Sequence, residues 1–294
     1  MMNVRCILKK SIAKSIILTG PAICLVALAS GNLHAQRKHY TPPALVMPLH
    51  AQRNQLHTSL GIGRGVDINL SYALSDHLAV FATGTLHNGW SRNRSLLAGM
   101  LGGHPSYYKK DNQALAGGLG YFWRPDANSS KRFETYVGAG KFYVDVYRES
   151  EKGTGYFISS VQTGYWSLFW QLSSGRKVKK SEMAAAVRIS YSNYDDLYHK
   201  DQGGMYKPSV TEGLWGMHID PALSYSYLWR SFKFNGQLGF SWPLFKVAAK
   251  ETRTEYFLGE EIVTTEVERQ SVGLAGLARL SVQYTFDLNH KADK

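Results

Sequence analysis

Strict alternation of apolar and polar side chains is the feature that most constrains the fold of this chain. In the segment 274–288, Val282 and Phe286 fall on one face, whereas Arg279 and Gln283 fall on the other. Side chains of a β-strand point to opposite faces with a period of two, so this segment has one apolar and one polar face. The same pattern recurs at 66–74, 215–229 and 232–245. The chain is therefore predicted to be all-β.

Ten segments qualify as strands, and their connectors alternate in length after the Gly65 turn. The predicted strands are 55–63, 66–74, 78–87, 113–124, 132–146, 163–175, 183–194, 215–229, 232–245 and 273–289. The short connectors are 75–77, 125–131, 176–182 and 230–231, and the long ones are 88–112, 147–162, 195–214 and 246–272. Outer-membrane barrels combine an even strand number with short periplasmic turns and long extracellular loops. We therefore predict an antiparallel transmembrane up-and-down β-barrel of about ten strands, with eight and twelve as the other counts.

Three local features add detail to this prediction. A change of apolar register near Gly138 and Gly140 predicts a bulge. Pro221 and Pro243 lie inside predicted strands and lack an N–H group, so each is expected at a strand end or a bulge. Residues 261–267 are expected to extend the barrel as a hairpin above the membrane.

A soluble barrel of the lipocalin type also alternates, but it turns its apolar face inward. Here the polar face carries charges in mid-strand, among them Asp67, Arg188, Lys233 and Arg279. A dry core would make these charges costly. Aromatic residues also gather near the predicted strand ends, as they do at the two edges of a membrane barrel. Both observations favour the membrane barrel over the soluble one.

The first 35 residues have the layout of a secretory signal peptide. A basic start is followed by an apolar stretch at 16–29 and by small residues, with cleavage expected before Gln36. The apolar stretch is shorter than the about 20 residues that span a bilayer as a helix. We predict a signal peptide at 1–35, an N-terminal periplasmic lead-in at 36–54 and an outer-membrane barrel domain at 55–294.

Charge and cysteine content limit the chemistry of the mature chain. Both cysteines, Cys6 and Cys24, lie in the predicted signal peptide, which leaves no disulfide, thiolate nucleophile or Cys-type metal site. The formal net charge is +12, but the bases form no helical stripe or zinc-finger spacing, so no nucleic acid is expected as a partner. We expect outer-membrane lipid as a partner, with lipopolysaccharide or surface ligands at the long loops.

Several short motifs resemble a family of secreted outer-membrane β-barrel proteins of the Bacteroidota, largely of unknown function, with a Tyr-x-Pro segment after the signal peptide. The motifs are Tyr40-Thr-Pro-Pro43 with Pro48, Val66-Asp-Ile-Asn-Leu-Ser-Tyr-Ala-Leu-Ser-Asp-His-Leu-Ala-Val80, Phe169-Trp-Gln171, Val187-Arg-Ile-Ser190 and Asp220-Pro-Ala-Leu223. Such families often carry a lipidated cysteine just before the Tyr-x-Pro segment, and this chain has none there. The resemblance implies an outer-membrane setting and no catalytic residues.

Polar residues on the inward face are candidates for lining the lumen. They are His57, Asp67, Asn69, Arg188, His218, Asp220, Lys233, Gln237, Arg279 and Asp287. One interpretation is a narrow aqueous path or a small-ligand site. The other is that these groups pair and fill the interior, as side chains do in small barrels.

A rim enzyme is the alternative from another functional class, because ten strands also occur in outer-membrane proteases whose Asp and His residues act above the barrel. Its candidates would be Asp195, Asp196 and His199, with His87 and His104 from another loop. Nothing in the sequence fixes their mutual geometry, and no His spacing supports a metal site. We therefore predict no catalytic residues, no metal and no cofactor. The expected role is non-catalytic: envelope structure, surface interaction through the loops or narrow solute passage.

Overall fold

A computed structural model describes the chain over 40, 45, 47, 49–63, 65–93, 106–126, 129–152, 155–203, 205–257, 260–270 and 275–288. The predicted signal peptide, the C-terminal tail and His104 lie outside these residues. Within them, no helix is long and apolar enough to cross a membrane.

All regular structure in the described residues is β-strand. The strands are β1 Gln55–Ile62, β2 Val66–Ala73, β3 Leu78–Asn93, β4 Ser106–Trp123, β5 Lys131–Lys152, β6 Gly155–Val178, β7 Ser181–Tyr194, β8 Leu197–Gly203, β9 Met205–Glu212, β10 Trp215–Trp229, β11 Phe232–Pro243, β12 Val247–Phe257, β13 Glu260–Gln270 and β14 Ala275–Asp287.

Ten of these strands close into an antiparallel barrel. Going round the barrel, the order is β1 to β7, then β10, β11 and β14, and β14 pairs back to β1. These ten are the strands that the alternation predicts. The short connections after β2, β4, β6 and β10 lie at one end, here named the turn side, and the opposite end is named the loop side. The predicted ten-stranded antiparallel barrel is confirmed.

The barrel wall is apolar on its outer face, whereas its inner face carries most of the buried polar and charged residues together with a cluster of aromatic side chains. Its outer face carries a belt of exposed apolar side chains, which includes Leu60, Ile68, Leu86, Leu115, Leu119, Val137, Leu168, Leu172, Leu223, Phe234, Leu238, Leu280 and Val282. Tyr121, Trp229 and Phe232 lie at its turn-side edge, and Trp166 and Trp242 at its loop-side edge. A soluble ligand-binding barrel would need the apolar face inside, so the structure contradicts that alternative.

The wall continues beyond the belt on the loop side. Strands β3 to β6 are 16, 18, 22 and 24 residues long, longer than the about 9–11 residues that cross a membrane. The loop-side part of β6 pairs with β8, and β8 pairs with β9. Strand β12 in turn pairs with β9 on one side and with β13 on the other. The expected hairpin around 261–267 is therefore present as β12 and β13. The β8–β9 hairpin is an addition that the alternation does not predict.

The predicted bulge near Gly138 is absent. The pairing of β5 with β4 and β6 keeps one register through Gly138 and Gly140. The prolines behave as expected in part: Pro243 ends β11, whereas Pro221 lies within β10 in register with Val187. On its other side, the β10–β11 ladder lacks pairs at Asp220 and Pro221 without a change of register.

Candidate functional site

The predicted lead-in lies inside the barrel. Tyr40, Leu45, Met47, Leu49 and His50 each have at most 8% of their surface exposed. Leu45, Met47 and Leu49 pack on buried apolar residues of the wall, namely Ala184, Ala186, Ala222 and Leu277. This segment has no alternating pattern, so its position could not be read from periodicity. Its described residues occupy the lumen instead of the periplasmic position expected for 36–54.

Side chains of the wall bind the backbone of this segment, here named the plug (the described residues from Tyr40 to Ala51). On the plug, carbonyl oxygens of four residues accept hydrogen bonds: Ala51 from Arg124 at 2.6 Å, Leu49 from Arg132 at 2.6 Å, Met47 from Lys233 at 3.4 Å and Leu45 from Gln237 at 3.3 Å. The His50 N–H donates to Glu134 Oε1 at 2.7 Å. Buried backbone groups need such partners, so these wall residues replace a strand partner for the plug.

The plug extends through the lumen from the turn side towards the loop side. Next to it in the chain, Asn54 bonds to the Ala73 carbonyl at the turn-side end of β2. Arg132 and Lys233 stand one residue into β5 and β11. Tyr40, at the other end, reaches Asp220 in the loop-side half of β10. The plug thus passes through more than half of the barrel height.

The hydroxyl of Tyr40 sits in a buried polar cluster. It lies 2.9 Å from Ser190 Oγ and donates to Asp220 Oδ2 at 3.2 Å. Its ring stacks on His218, with centroids 3.8 Å apart and planes 2° apart. Arg188 Nε also donates to Asp220 Oδ2, at 3.0 Å. This cluster anchors the end of the plug to β7 and β10.

Six charged side chains of the lumen form three ion pairs. Arg188 pairs with Asp220 at 3.0 Å, and Arg279 pairs with Asp67 at 3.2 Å. Lys233 pairs with Glu182. All six side chains are at most 6% exposed. Burying a charge is costly unless it is paired and hydrogen-bonded, so this arrangement is the one expected of a filled interior.

Eight of the ten lumen-lining candidates are buried in the interior: His57, Asp67, Arg188, His218, Asp220, Lys233, Gln237 and Arg279. Asn69 also faces inward but is half-buried, and its Nδ2 donates to Ser59 Oγ at 3.2 Å. Asp287 is exposed. It accepts a hydrogen bond from Gln55 Nε2 at 2.9 Å at the turn-side end of β14, so its prediction as a lumen residue is wrong.

Four other interior residues were not among the predicted lumen-lining residues. Glu134, Gln171 and Glu182 are at most 4% exposed, and Arg132 binds the plug. All lie on the inward face of predicted strands or next to a turn, so their alternation was available as a signal. The glycines of β5 interrupted the apolar pattern and hid the face of Glu134.

A small cavity lies beside the described residues of the plug. Between the plug and the strands β1, β2, β11 and β14 there is a cavity of about 30 Å³, lined by Met47, His57, Asn69, Gln237 and Arg279 among others. This volume has room for about one or two water molecules. The described residues contain no group of three or more His, Cys, Asp or Glu side chains arranged to hold a metal ion.

The rim-enzyme candidates do not form a common site in the described residues. Asp195 and Asp196 are exposed, whereas His199 is buried, with Nε2 at 3.4 Å from Ser159 Oγ. His87 is half-buried on β3. No contact between these Asp and His side chains is present in that part of the chain.

Comparison with solved structures identifies the fold. The outer membrane protease OmpT from Escherichia coli superposes with a TM-score of 0.50 at 8% identity, covering 80% of this chain and 94% of that chain. The autotransporter NalP translocator domain from Neisseria meningitidis matches with a TM-score of 0.38 at 12% identity, covering 94% and 98%. A major outer membrane protein from Thermus thermophilus matches with a TM-score of 0.34 at 11% identity, covering 81% and 100%.

Neither a family model nor a curated protein matches the chain in sequence. The assignment of the fold therefore rests on the closed barrel and on its likeness to the OmpT structure. The chain has the fold of an outer-membrane β-barrel, with ten antiparallel strands around a lumen that holds the described residues of its own N-terminal segment.

Proposed function

We propose that this chain is a cell outer-membrane β-barrel with a non-catalytic envelope role, and that it acts through its loop-side wall and not through its lumen. The plug is the observation that carries this proposal, because its backbone is bound by Arg124, Arg132, Gln237 and Glu134. Passage of a solute would require these contacts to break.

The outer face supports the location. A belt of exposed apolar side chains bordered by aromatic residues matches the lipid-facing surface of a membrane barrel. The layout of residues 1–35 supports export by a signal peptide that is cleaved before Gln36. The turn side then faces the periplasm, and the extended wall faces outward, where lipopolysaccharide and surface ligands are within reach.

A role as a rim enzyme has less support. General acid–base chemistry needs groups within hydrogen-bond reach of each other and of a substrate. The structure separates the exposed Asp195 and Asp196 from the buried His199. The likeness to a protease, at 8% identity, concerns the fold alone.

Conductance of the mature chain tests the closed lumen. We would refold residues 36–294, confirm folding by heat-modifiable gel mobility and insert the protein into a planar bilayer. We expect no discrete conductance steps from the intact chain. A variant that lacks residues 37–50 should conduct, because the barrel strands keep their own ladders while the plug is gone.

The two variants together separate the outcomes. Steps of reproducible size from the intact chain would refute the closed lumen and make Arg188, Lys233 and Arg279 candidates for ion selectivity. A silent deletion variant that is correctly folded would show that side chains alone close the lumen, so that the plug is not what closes it.

A further inference from the structure

A free sheet edge lies at the end of the loop-side wall. Strand β13 pairs with β12 along its whole length, from Glu260 opposite Phe257 to Gln270 opposite Val247. No other strand in the described part of the chain pairs with it. One edge of β13 therefore presents backbone N–H and C=O groups that a further strand can bind.

The side chains of this edge are open on both faces. Ile262, Val263 and Val267 are 48%, 57% and 72% exposed. These apolar residues lie far along the sheet from the apolar belt, since β8, β9 and β12 separate β13 from the barrel strand β6. Lipid around the barrel therefore does not explain their exposure.

The same edge is acidic, although the chain as a whole is basic. Strand β13 contains four glutamates and one arginine, whereas the whole chain has a formal net charge of +12. Glu268 shares Arg253 with Glu251. Glu260, Glu261 and Glu266 are exposed and form no ion pair with any residue that the structure describes.

We propose that β13 is a docking edge for an extended polypeptide segment with basic residues at alternate positions. The segment would add a strand to the sheet by backbone pairing, a common mode of peptide recognition. Its basic side chains would face Glu260 and Glu266, and its apolar side chains would pack against Val263 and Val267 on the opposite face. This inference rests on the proposed surface role and names the class of partner for that wall.

A second copy of the chain fits this edge less well. Antiparallel pairing centred on Thr265 would place Val263 opposite Val267 and Glu261 opposite Arg269. It would also bring together two strands that are each net negative, with four glutamates and one arginine. Like charges destabilise a strand pair. The glutamates thus hinder self-pairing and leave the edge open to a basic strand, which is a common way to obtain specificity.

Binding of a designed peptide tests the proposal. A labelled peptide of about ten residues with alternating Lys and Val would be titrated with the refolded mature chain in detergent micelles, and fluorescence anisotropy would report binding. We expect this peptide to bind and its Glu-for-Lys counterpart not to bind. The variant E260Q/E261Q/E266Q should weaken binding about tenfold, because exposed ion pairs each contribute only modestly.

Two controls make the result specific. The variant E149Q/D196N/E212Q removes three carboxylates elsewhere on the loop side and should bind the Lys peptide like the original chain. The variants Thr264→Pro and Thr265→Pro test the backbone edge, since proline removes the N–H that a partner strand needs. One of the two positions directs its N–H away from β12, and there binding should be lost while the barrel retains its heat-modifiable mobility.

The outcomes that would overturn this inference are distinct from those that concern the lumen. Equal binding of the two peptides, or unchanged binding in both the triple-Gln and the Pro variants, would refute the docking edge. Concentration-dependent dimerisation lost in the Pro variants would assign the edge to a second copy instead. A conducting barrel that still binds the Lys peptide would refute only the closed lumen, and a silent barrel that fails to bind it would refute only this inference.

Discussion

In the lumen, substituting one member of a charge pair is expected to cost more stability than substituting both members. Asp67 accepts from Arg279 Nε at 3.2 Å and from the Thr85 hydroxyl at 2.7 Å. Removing one partner of a buried pair leaves the other charge uncompensated, whereas removing both often costs little. The stability of the barrel therefore depends on the pairs and not on any one charge.

Substituting Asp67→Asn should lower the free energy of unfolding by about 3–5 kcal/mol, because Arg279 then stays buried without its carboxylate. The double variant D67N/R279Q should recover much of this loss. Urea unfolding of the refolded barrel, followed by tryptophan fluorescence, measures both. Equal losses in the single and double variants would show that Arg279 is not the reason for the cost.

An acidic pair on the outer face predicts a pH dependence of stability. Asp145 and Asp111 stand directly opposite each other in a polar row above the apolar belt, together with Asn88 and Gln162. Partial burial, and secondly the Asp111 carboxylate, raise the pKa of Asp145. A carboxyl whose pKa is raised on folding binds its proton more tightly in the folded state, so stability falls as pH rises through that pKa.

Asp145→Asn should therefore stabilise the barrel at pH 7 by a few tenths of a kcal/mol, the usual scale for opposed like charges in a sheet. The gain should be lost towards pH 3, as the Asp145 carboxyl takes up its proton. Asp111→Asn should give the same gain, and the two changes should not add. Thermal unfolding at the two pH values checks this, and a gain that persists at pH 3 would contradict the electrostatic reason.

The sequence predicts which face a residue occupies better than how deep it lies. Arg188, Asp220 and Lys233 were placed correctly because alternation determines the face of every strand residue. Asp287 has the inward parity but stands at the end of β14, and periodicity carries no information on where a barrel wall stops enclosing a lumen. Tyr40 was missed as an interior residue because it belongs to no strand.

At the scale of elements, the positions of the ten barrel strands follow from their apolar faces, but their loop-side ends do not. Strand β5 runs to Lys152 and β6 begins at Gly155, well beyond the predicted limits of 146 and 163. Above the apolar belt the outer face carries polar residues such as Asp145 and Gln162, whereas buried apolar residues such as Val161 lie inside. The pattern of an apolar outer face, which marks the barrel strands in the sequence, therefore no longer applies there. The β8–β9 hairpin was missed for the same reason.

Glycines explain the irregular pattern in β5 without a bulge. A Cβ atom on Gly138 would lie 2.6 Å from the Phe169 ring, so the missing side chain makes room for an aromatic ring in the lumen. Phe169 in turn packs against Phe81 and lies under the Arg188 guanidinium. The change in the apolar pattern near Gly138 is therefore explained by the packing of aromatic rings in the interior and not by a bulge.

Gly138→Ala should destabilise the barrel by about 1–3 kcal/mol, because an added methyl group in a packed interior forces its neighbours to move. Gly84→Ala is the matched control, since a Cβ there would meet nothing closer than 3.8 Å. The midpoint of urea unfolding should fall for the first variant and stay nearly constant for the second. Equal effects would point to backbone flexibility as the cause.

At the scale of the whole molecule, the first and last residues that the structure describes lie at different heights of the barrel. The last described residues lie at the turn side, where the Leu288 N–H bonds to the Asn54 carbonyl. Tyr40 lies in the loop-side half of the lumen, bonded to Asp220. In chain order, from Tyr40 to Asn54, this segment thus runs from the loop-side half of the lumen to the turn side, opposite to the direction of β1.

An epitope tag inserted after Gln36 should therefore be reached from the loop side, whereas a tag added after Lys294 should be reached from the turn side. Protease digestion of proteoliposomes with the barrel in a single orientation measures this, with a tag in the β12–β13 connection marking the loop side. We expect the tag at Gln36 to be cleaved together with the marker and the C-terminal tag to survive. Survival of the N-terminal tag with cleavage of the marker would mean that the chain turns back below Tyr40. The plug would then enter and leave the lumen on the turn side, and the N-terminus would face the periplasm.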